Sequence, residues 1–226
     1  MEYENYVFDL YGTLIRIHTD EHAKETWKHW LKYLNTQNIV HPRWRKCRRD
    51  FEKIEQAHRK KAGEEKKFEY PEIDYMKVYR ELFEKYGNQD LSEEVVRNAS
   101  YAFRTASRER MELYPGVKEF IGHLKNAGKK VYLLSNAQAS YTVPEIENFG
   151  LEKMMDDIFI SSDYGCMKPD KAFFDALLDK YNMDRDKTVM IGDSRFSDIE
   201  GAQKAGIHAI HLTGENAARK FYLNRI

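Results

Sequence analysis

The chain is poor in the residues that would mark several common classes of protein. It has only two cysteines in 226 residues, Cys47 and Cys166, too far apart to form a metal-ligand pair and too few for a disulfide framework. A reducing compartment, the cytoplasm, is therefore the expected location. No apolar run approaches the ~18 residues of a membrane span. Met1–Asn5 is not a basic segment leading into a long apolar one, so no signal peptide is expected. Neither sign of charge is in excess, with 37 basic and 37 acidic side chains, which gives no support to nucleic-acid binding. Internal repeats and low-complexity segments are also missing. What remains is 42% apolar and 33% charged sequence, enough for a real core under a solvated surface. The length suits one large domain or a domain with a sizeable insertion.

The chain has two textures. From about Thr19 to Arg110 apolar residues recur at helical spacing. The stripes are Trp27, Trp30, Leu31 and Leu34; Cys47, Phe51, Ile54 and His58; Tyr75, Tyr79, Leu82 and Tyr86; and Val95, Ala99, Ala102 and Ala106. Four such stretches can bury their faces on one another as a bundle, and no strand is expected among them. From about Tyr114, short apolar strands alternate with helices. The strands are 130–135, 158–160, 188–191 and 208–212, with helices around Phe120, Ile146, Leu177 and Ala202. Thr142 and Glu145 read as a capping box with Pro144 in the first turn. The alternation argues for a parallel sheet covered on both faces. Tyr6-Val7-Phe8 must join that sheet from the far side of the helical stretch. The expected architecture is α/β, a three-layer, Rossmann-like parallel-sheet core (1–16 and 112–226) with an inserted four-helix bundle (17–111). Hinges are expected near Arg16 and Glu112.

Ligands of open parallel sheets bind beyond the carboxyl ends of the strands. The residues there are Asp9, then Ser135-Asn136, then Lys168, then Asp193 through Asp198. Three clustered carboxylates (Asp9, Asp193, Asp198) repel one another unless a cation sits among them, and an all-oxygen set suits a hard ion such as magnesium. With Lys168 this makes a site for a phosphoryl group. Asp9 can attack phosphorus, Ser135 can donate to a phosphoryl oxygen, and the Gly12 turn can offer backbone amides to an anion.

These segments carry a resemblance. Asp9-Leu10-Tyr11-Gly12-Thr13 is similar to the D-x-D-G-T motif of the haloacid dehalogenase superfamily. Leu134-Ser135-Asn136, Lys168-Pro169 and Gly192-Asp193 through Asp198 resemble its second, third and fourth motifs. The insertion resembles the family's helical cap. The resemblance implies Asp9 as nucleophile, with Asp9, the main-chain carbonyl of Tyr11, Asp193 and Asp198 around Mg2+. It implies Ser135 and Lys168 on the transferred group, with Asn136, Tyr11 and Gly12 beside it. Cap closure would then select a small-molecule substrate, a phosphate ester.

Tyr11 departs from that pattern. The family's phosphatases usually carry aspartate there, protonating the leaving group, whereas its metal-free haloacid dehalogenases commonly carry tyrosine. Those dehalogenases usually lack the first acid of the fourth motif, which this chain keeps as Asp193. The intact acidic cluster outweighs the single tyrosine. The expectation is a magnesium-dependent phosphatase, with a 2-haloacid dehalogenase or a weakly active binding protein as alternatives. Several features have plainer readings. The basic residues of Pro42–Lys67 are interleaved with acids and read as a solvated face. Trp27, Trp30 and Trp44 read as bundle core. His18 and Asp20 could replace the missing acid, but helix capping by Asp20 is the simpler role. Cys166 reads as filler beside Lys168.

Overall fold

The computed structural model describes residues 2–214 and 216–225. Five parallel strands form one sheet: β1 (Asn5–Phe8), β4 (Lys130–Ser135), β5 (Asp157–Ile160), β6 (Thr188–Gly192) and β7 (His208–His211), in the order β5-β4-β1-β6-β7. β1 lies in the middle, with Phe8 opposite Leu133 on one side and Ile191 on the other. Its side chains alternate between faces, as a strand requires. Tyr6 and Phe8 enter a core shared with α5 (Val117–Asn126) and α10 (Ala217–Leu223), while Val7 enters one shared with α8 (Lys171–Lys180) and α9 (Gly201–Lys204). Burial on both faces explains why these strands read as unbroken apolar runs.

The inserted segment holds α1 (Lys24–Thr36), α2 (Trp44–Glu64), α3 (Tyr75–Lys85) and α4 (Glu93–Ser107), which share a separate core. Trp30 is wholly buried there, its indole N–H donating to the Ala99 carbonyl at 2.8 Å. The buried face of α4 is rotated from the expected stripe: Val96, Ser100, Phe103, Arg104 and Ser107 point inward, and Ala102 and Ala106 are only partly covered. The reason is that α4 packs on α1 and α3 within the bundle and also on α6 (Ala139–Asn148), and meets α6 with polar side chains.

Two further expectations fail. The stretch read as purely helical ends in a strand, because β2 (Ile15–Thr19) and β3 (Arg108–Leu113) form an antiparallel ribbon joining the two parts. Its signal is period-two alternation: Ile15, Ile17, Met111 and Leu113 pack on the sheet core while Arg16, His18 and Glu112 face solvent. The helix after β4 begins at Ala139, so Thr142 and Glu145 sit inside it and not at its start. Their side chains are drawn to a buried partner, described below.

A second connection ties the helices to the sheet. The loop before α3 lies along the loop that carries Lys168. Met167 N–H donates to the Tyr70 carbonyl and Glu72 N–H to the Gly165 carbonyl, both at 3.0 Å. Tyr70 N–H donates to Asp170. Gln138 completes the tie, accepting from Tyr75 N–H and donating to the Ile73 carbonyl, each at 2.8 Å. Pro71 stands directly opposite Cys166 in an antiparallel bridge. Burial pushes the Cys166 thiol up to about 11, so its oxidation is slow at neutral pH and faster at pH 8–9. Directly opposed residues have Cα atoms about 4.5–5.5 Å apart, within disulfide reach. Pro71→Cys should therefore form a cross-link with Cys166 under mild oxidation, seen as the loss of two titratable thiols. Two persistently free thiols at those positions would show that this loop is not docked as described.

Candidate active site

The carboxyl ends of β1, β4 and β6 and the loop after β5 converge on one volume. Asp9 follows β1, held by its N–H donating to the Ile191 carbonyl at 2.9 Å, and is 8% exposed. Carboxylate oxygens of Asp9, Asp193 and Asp198 all lie within 4.8 Å of one another. Lys168 enters from the side, buried, with Nζ 2.8 Å from Asp9 Oδ1 and 2.7 Å from Asp198 Oδ1. Its third donor goes to the Leu134 carbonyl at 2.7 Å. An ammonium has three N–H groups, so Lys168 as placed has none left for an incoming oxygen.

Backbone choices set these positions. A Cβ on Gly12 would fall inside the Asp193 carboxylate, and Gly12 is at φ +87°, a conformation other residues resist. A Cβ on Gly192 would strike the Asp198 carboxylate in the same way. Asp198, buried in a π-helical turn (Arg195–Glu200), accepts from Ser194 N–H at 3.0 Å.

Two expected phosphoryl contacts have other duties. Asn136 spends its carboxamide on the Lys168 backbone, donating to its carbonyl and accepting from its N–H, both at 2.8 Å. It positions the lysine. The Gly12 N–H donates to the Ile15 carbonyl at 2.8 Å and is not available to an anion. The neighbouring amides of Leu10, Tyr11 and Thr13 have no hydrogen-bond partner among the described residues. Ser135 Oγ is buried and has no hydrogen-bond partner among the described residues. Such a group costs on the order of 1–3 kcal/mol unless something satisfies it, which suits a hydroxyl awaiting an anionic oxygen.

Tyr11 is the residue whose role changes most. Its hydroxyl donates to Glu145 in a short hydrogen bond and also meets Thr142 Oγ1 at 3.1 Å. Glu145 is wholly buried and accepts from Arg104 Nε at 3.0 Å; Arg108 lies 3.7 Å away. The Arg104 guanidinium lies 5.0 Å from the centre of the Tyr11 ring. Burial, then Glu145, pushes the Tyr11 hydroxyl well above its ordinary range. Tyr11 is thus a strut joining the Asp9 loop to α6 and α4. Sequence reasoning missed Arg104 and Glu145, although an arginine one helical turn after Ser100 on a buried face was a usable signal. His18 and Asp20 are elsewhere: His18 pairs with Glu109 on the exposed ribbon, and Asp20 accepts from the His22 and Ala23 amides.

The electrostatics follow from the counting of charges. Burial pushes the Asp9 carboxyl up to about 7; Lys168 opposes this, while Asp198 and Asp193 add to it. Asp193 is also raised, by burial and then by Asp198. Burial alone would lower Lys168, but Asp9 and Asp198 outweigh it and hold the amine charged. An unfolded aspartate titrates near ~3.9. Between there and about 7 the native state keeps a proton that the unfolded chain has released, so stability falls as pH rises through that window. In cation-free buffer the melting temperature of Asp9→Asn relative to the parent should therefore become more favourable from pH 5 to pH 8. A difference that stays flat or shrinks would contradict this electrostatic picture.

Comparison with known proteins agrees with the geometry. Residues 3–206 match the family model described as haloacid dehalogenase-like hydrolase. A phosphoserine phosphatase of Thermus thermophilus is 28% identical over 134 residues, 59% of this chain and 52% of that protein. The pyrimidine 5'-nucleotidase YjjG of Escherichia coli is 31% identical over 116 residues, 51% of each chain. The chain spans about half the length of such curated relatives. Among solved structures, a 2-haloacid dehalogenase from Pseudomonas syringae superposes with a TM-score of 0.61 at 19% identity, covering 92% of this chain and 86% of that one. The putative hydrolase YfnB of Bacillus subtilis, solved bound to magnesium, gives 0.54 at 21% identity, covering 94% and 89%. At these identities the likeness is one of fold.

Proposed function

The chain belongs to the haloacid dehalogenase-like hydrolases, and we propose that it is a magnesium-dependent phosphatase of a small phosphate ester, working through an aspartyl-phosphate at Asp9. The observation that carries this reading is the charge balance. Three carboxylates face one ammonium, leaving two negative charges in excess, which is the charge of one divalent cation. Asp9, Asp193 and Asp198 would hold it. When bound, it would favour the ionised form of Asp9 and would offset charge on the phosphoryl oxygens.

The residues then divide the work. Asp9, ionised, attacks phosphorus and forms the acyl phosphate as the P–O ester bond breaks. The leaving oxygen departs as the alkoxide and takes its proton from water. A water then hydrolyses the acyl phosphate to inorganic phosphate and regenerates the carboxylate. Lys168 fixes Asp9 and Asp198 and keeps positive charge beside the phosphoryl group. Ser135 supplies the unspent hydroxyl, and the free amides of the Leu10–Thr13 turn can donate to the same oxygens. Helices α1–α4 form the cap over the cleft.

No carboxylic acid stands at position 11 to protonate the leaving group, and the Tyr11 proton is committed to Glu145. Such assistance is worth about 10²–10⁴-fold. Turnover should therefore depend steeply on the leaving group, with p-nitrophenyl phosphate cleaved far faster than alkyl phosphates. Tyr11→Asp should flatten that dependence while lowering the melting temperature, because the strut is lost. An unchanged dependence would show that position 11 is not where the acid is missing.

A metal-free displacement of halide is the second reading, favoured by tyrosine at position 11. Phosphate release that requires Mg2+, stops with chelator and falls to background in Asp9→Asn supports the phosphatase. Chelator-insensitive halide release from a 2-haloacid, with no phosphate-ester turnover, would replace it.

A further inference from the structure

A cavity of about 240 Å3 lies where α1–α4 meet α6. Its walls are rings: Trp27, Phe51, Tyr75, Tyr79, Phe103 and Tyr141. None of Asp9, Ser135, Lys168 and Asp193 lines it, so it is a space apart from the reacting volume. It meets solvent on its own side, because Glu21 and His22, both exposed, and the half-buried Glu52 stand at its rim. Arg48 crosses that rim, donating to Glu52 at 2.7 Å and to the His22 carbonyl at 2.8 Å. An apolar cavity of about 150 Å3 admits benzene. The larger volume here takes one ring and a short substituent.

Two polar groups among the walls have hydrogen bonds unspent. Arg104 is buried and has five N–H groups. Three are used, by Glu145 through Nε and Nη2 and by Glu21 through Nη1, which leaves one on each terminal nitrogen. The Tyr141 hydroxyl has no partner among the described residues. The surrounding charge is already matched. Glu52 pairs with Arg48 and Glu55 with Arg59, while Glu21 and Glu145 balance Arg104 and the nearby Arg108. A ligand cation would meet Arg104, and a ligand anion would meet Glu21, Glu52 and Glu55. A neutral acceptor meets neither penalty and satisfies donors that are costly to leave unmade. We propose that the cavity binds a small planar aromatic molecule with a neutral hydrogen-bond acceptor, of the aryl amide class. Its ring sits among the six side-chain rings, in edge-to-face or offset contact, and its carbonyl oxygen accepts from Arg104 and Tyr141. The same guanidinium holds Glu145 and lies 5.0 Å from the centre of the Tyr11 ring. The ligand therefore meets the side chain that steadies the Asp9 loop without entering the reacting volume.

Trp27 lines the cavity, so the intrinsic fluorescence of the full chain reports its occupancy. The chain is titrated with four single-ring probes: benzamide, toluene, benzoate and benzylammonium. Benzamide should saturate the signal at one molecule per chain and bind at least about fivefold more tightly than the other three. Tyr141→Phe removes a hydroxyl that no protein group uses, so it spares the fold. It should weaken benzamide by about two- to fivefold and leave toluene unchanged. Benzamide affinity should be the same in Asp9→Asn, and the same with Mg2+ and inorganic phosphate present. Toluene binding as tightly as benzamide, or benzoate or benzylammonium binding more tightly, overturns the ligand class. The absence of saturable benzamide binding, or an affinity indifferent to Tyr141→Phe, overturns the site. Loss of benzamide on adding phosphate, or in Asp9→Asn, would put the ring in the catalytic cleft and overturns the proposal as well. None of these outcomes depends on whether the chain turns over a phosphate ester.

Discussion

The Lys168 ammonium, buried between Asp9 and Asp198 and capped by the Leu134 carbonyl, is the contact on which the rest of the site depends. A lone buried ammonium is costly, and so is a lone buried carboxylate. Here one amine serves two acids, and a third acid, Asp193, adds to the deficit. The fold invests in this arrangement. Asn136 fixes the lysine backbone, Gly192 leaves room for Asp198, and Gly12 leaves room for Asp193. The push on Asp9 to about 7 measures what is left unbalanced. The divalent cation proposed for this site would complete that balance.

The same logic recurs between the two parts of the chain. Glu145 is buried without exposure and is kept there by Arg104 and the Tyr11 hydroxyl. Removing one partner of such a buried pair costs more than its presence contributes. The pair therefore fixes which way α4 meets α6 and where the Asp9 loop stands. On the other side, the Tyr70–Tyr75 segment lies along the Lys168 loop. The inserted helices thus touch both residues flanking the reacting volume, the nucleophile through Tyr11 and the amine through Met167 and Asp170. Their placement and that of the chemistry are set together.

Much of this was legible in the sequence, for physical reasons. Strands buried on both faces are apolar throughout, so β1, β4, β5 and β6 stood out. Their carboxyl ends had to carry the polar groups, and Asp9, Ser135, Lys168, Asp193 and Asp198 were the residues found there. The ribbon of β2 and β3 was less visible because half of each strand is solvent-exposed and charged, which resembles a helix end in a short window. Thr142 and Glu145 have the spacing of a capping box, and local pattern cannot tell a cap from a pair of side chains serving a distant tyrosine. Arg104 was hidden for the same reason: its partners lie far away in sequence, and only the packing of α4 on α6 brings them together. Gly12 and Asn136 show the reverse case: local pattern offers them to an anion, but the folded chain spends their hydrogen bonds on the backbone of Ile15 and Lys168.

The most direct measurement is a calorimetric titration with Mg2+ near pH 7 in buffers of differing ionisation enthalpy. With Asp9 at about 7, the account predicts one ion per chain accompanied by release of roughly half a proton, and loss of binding in Asp193→Asn. No binding, or binding that releases no proton and survives Asp193→Asn, would contradict it.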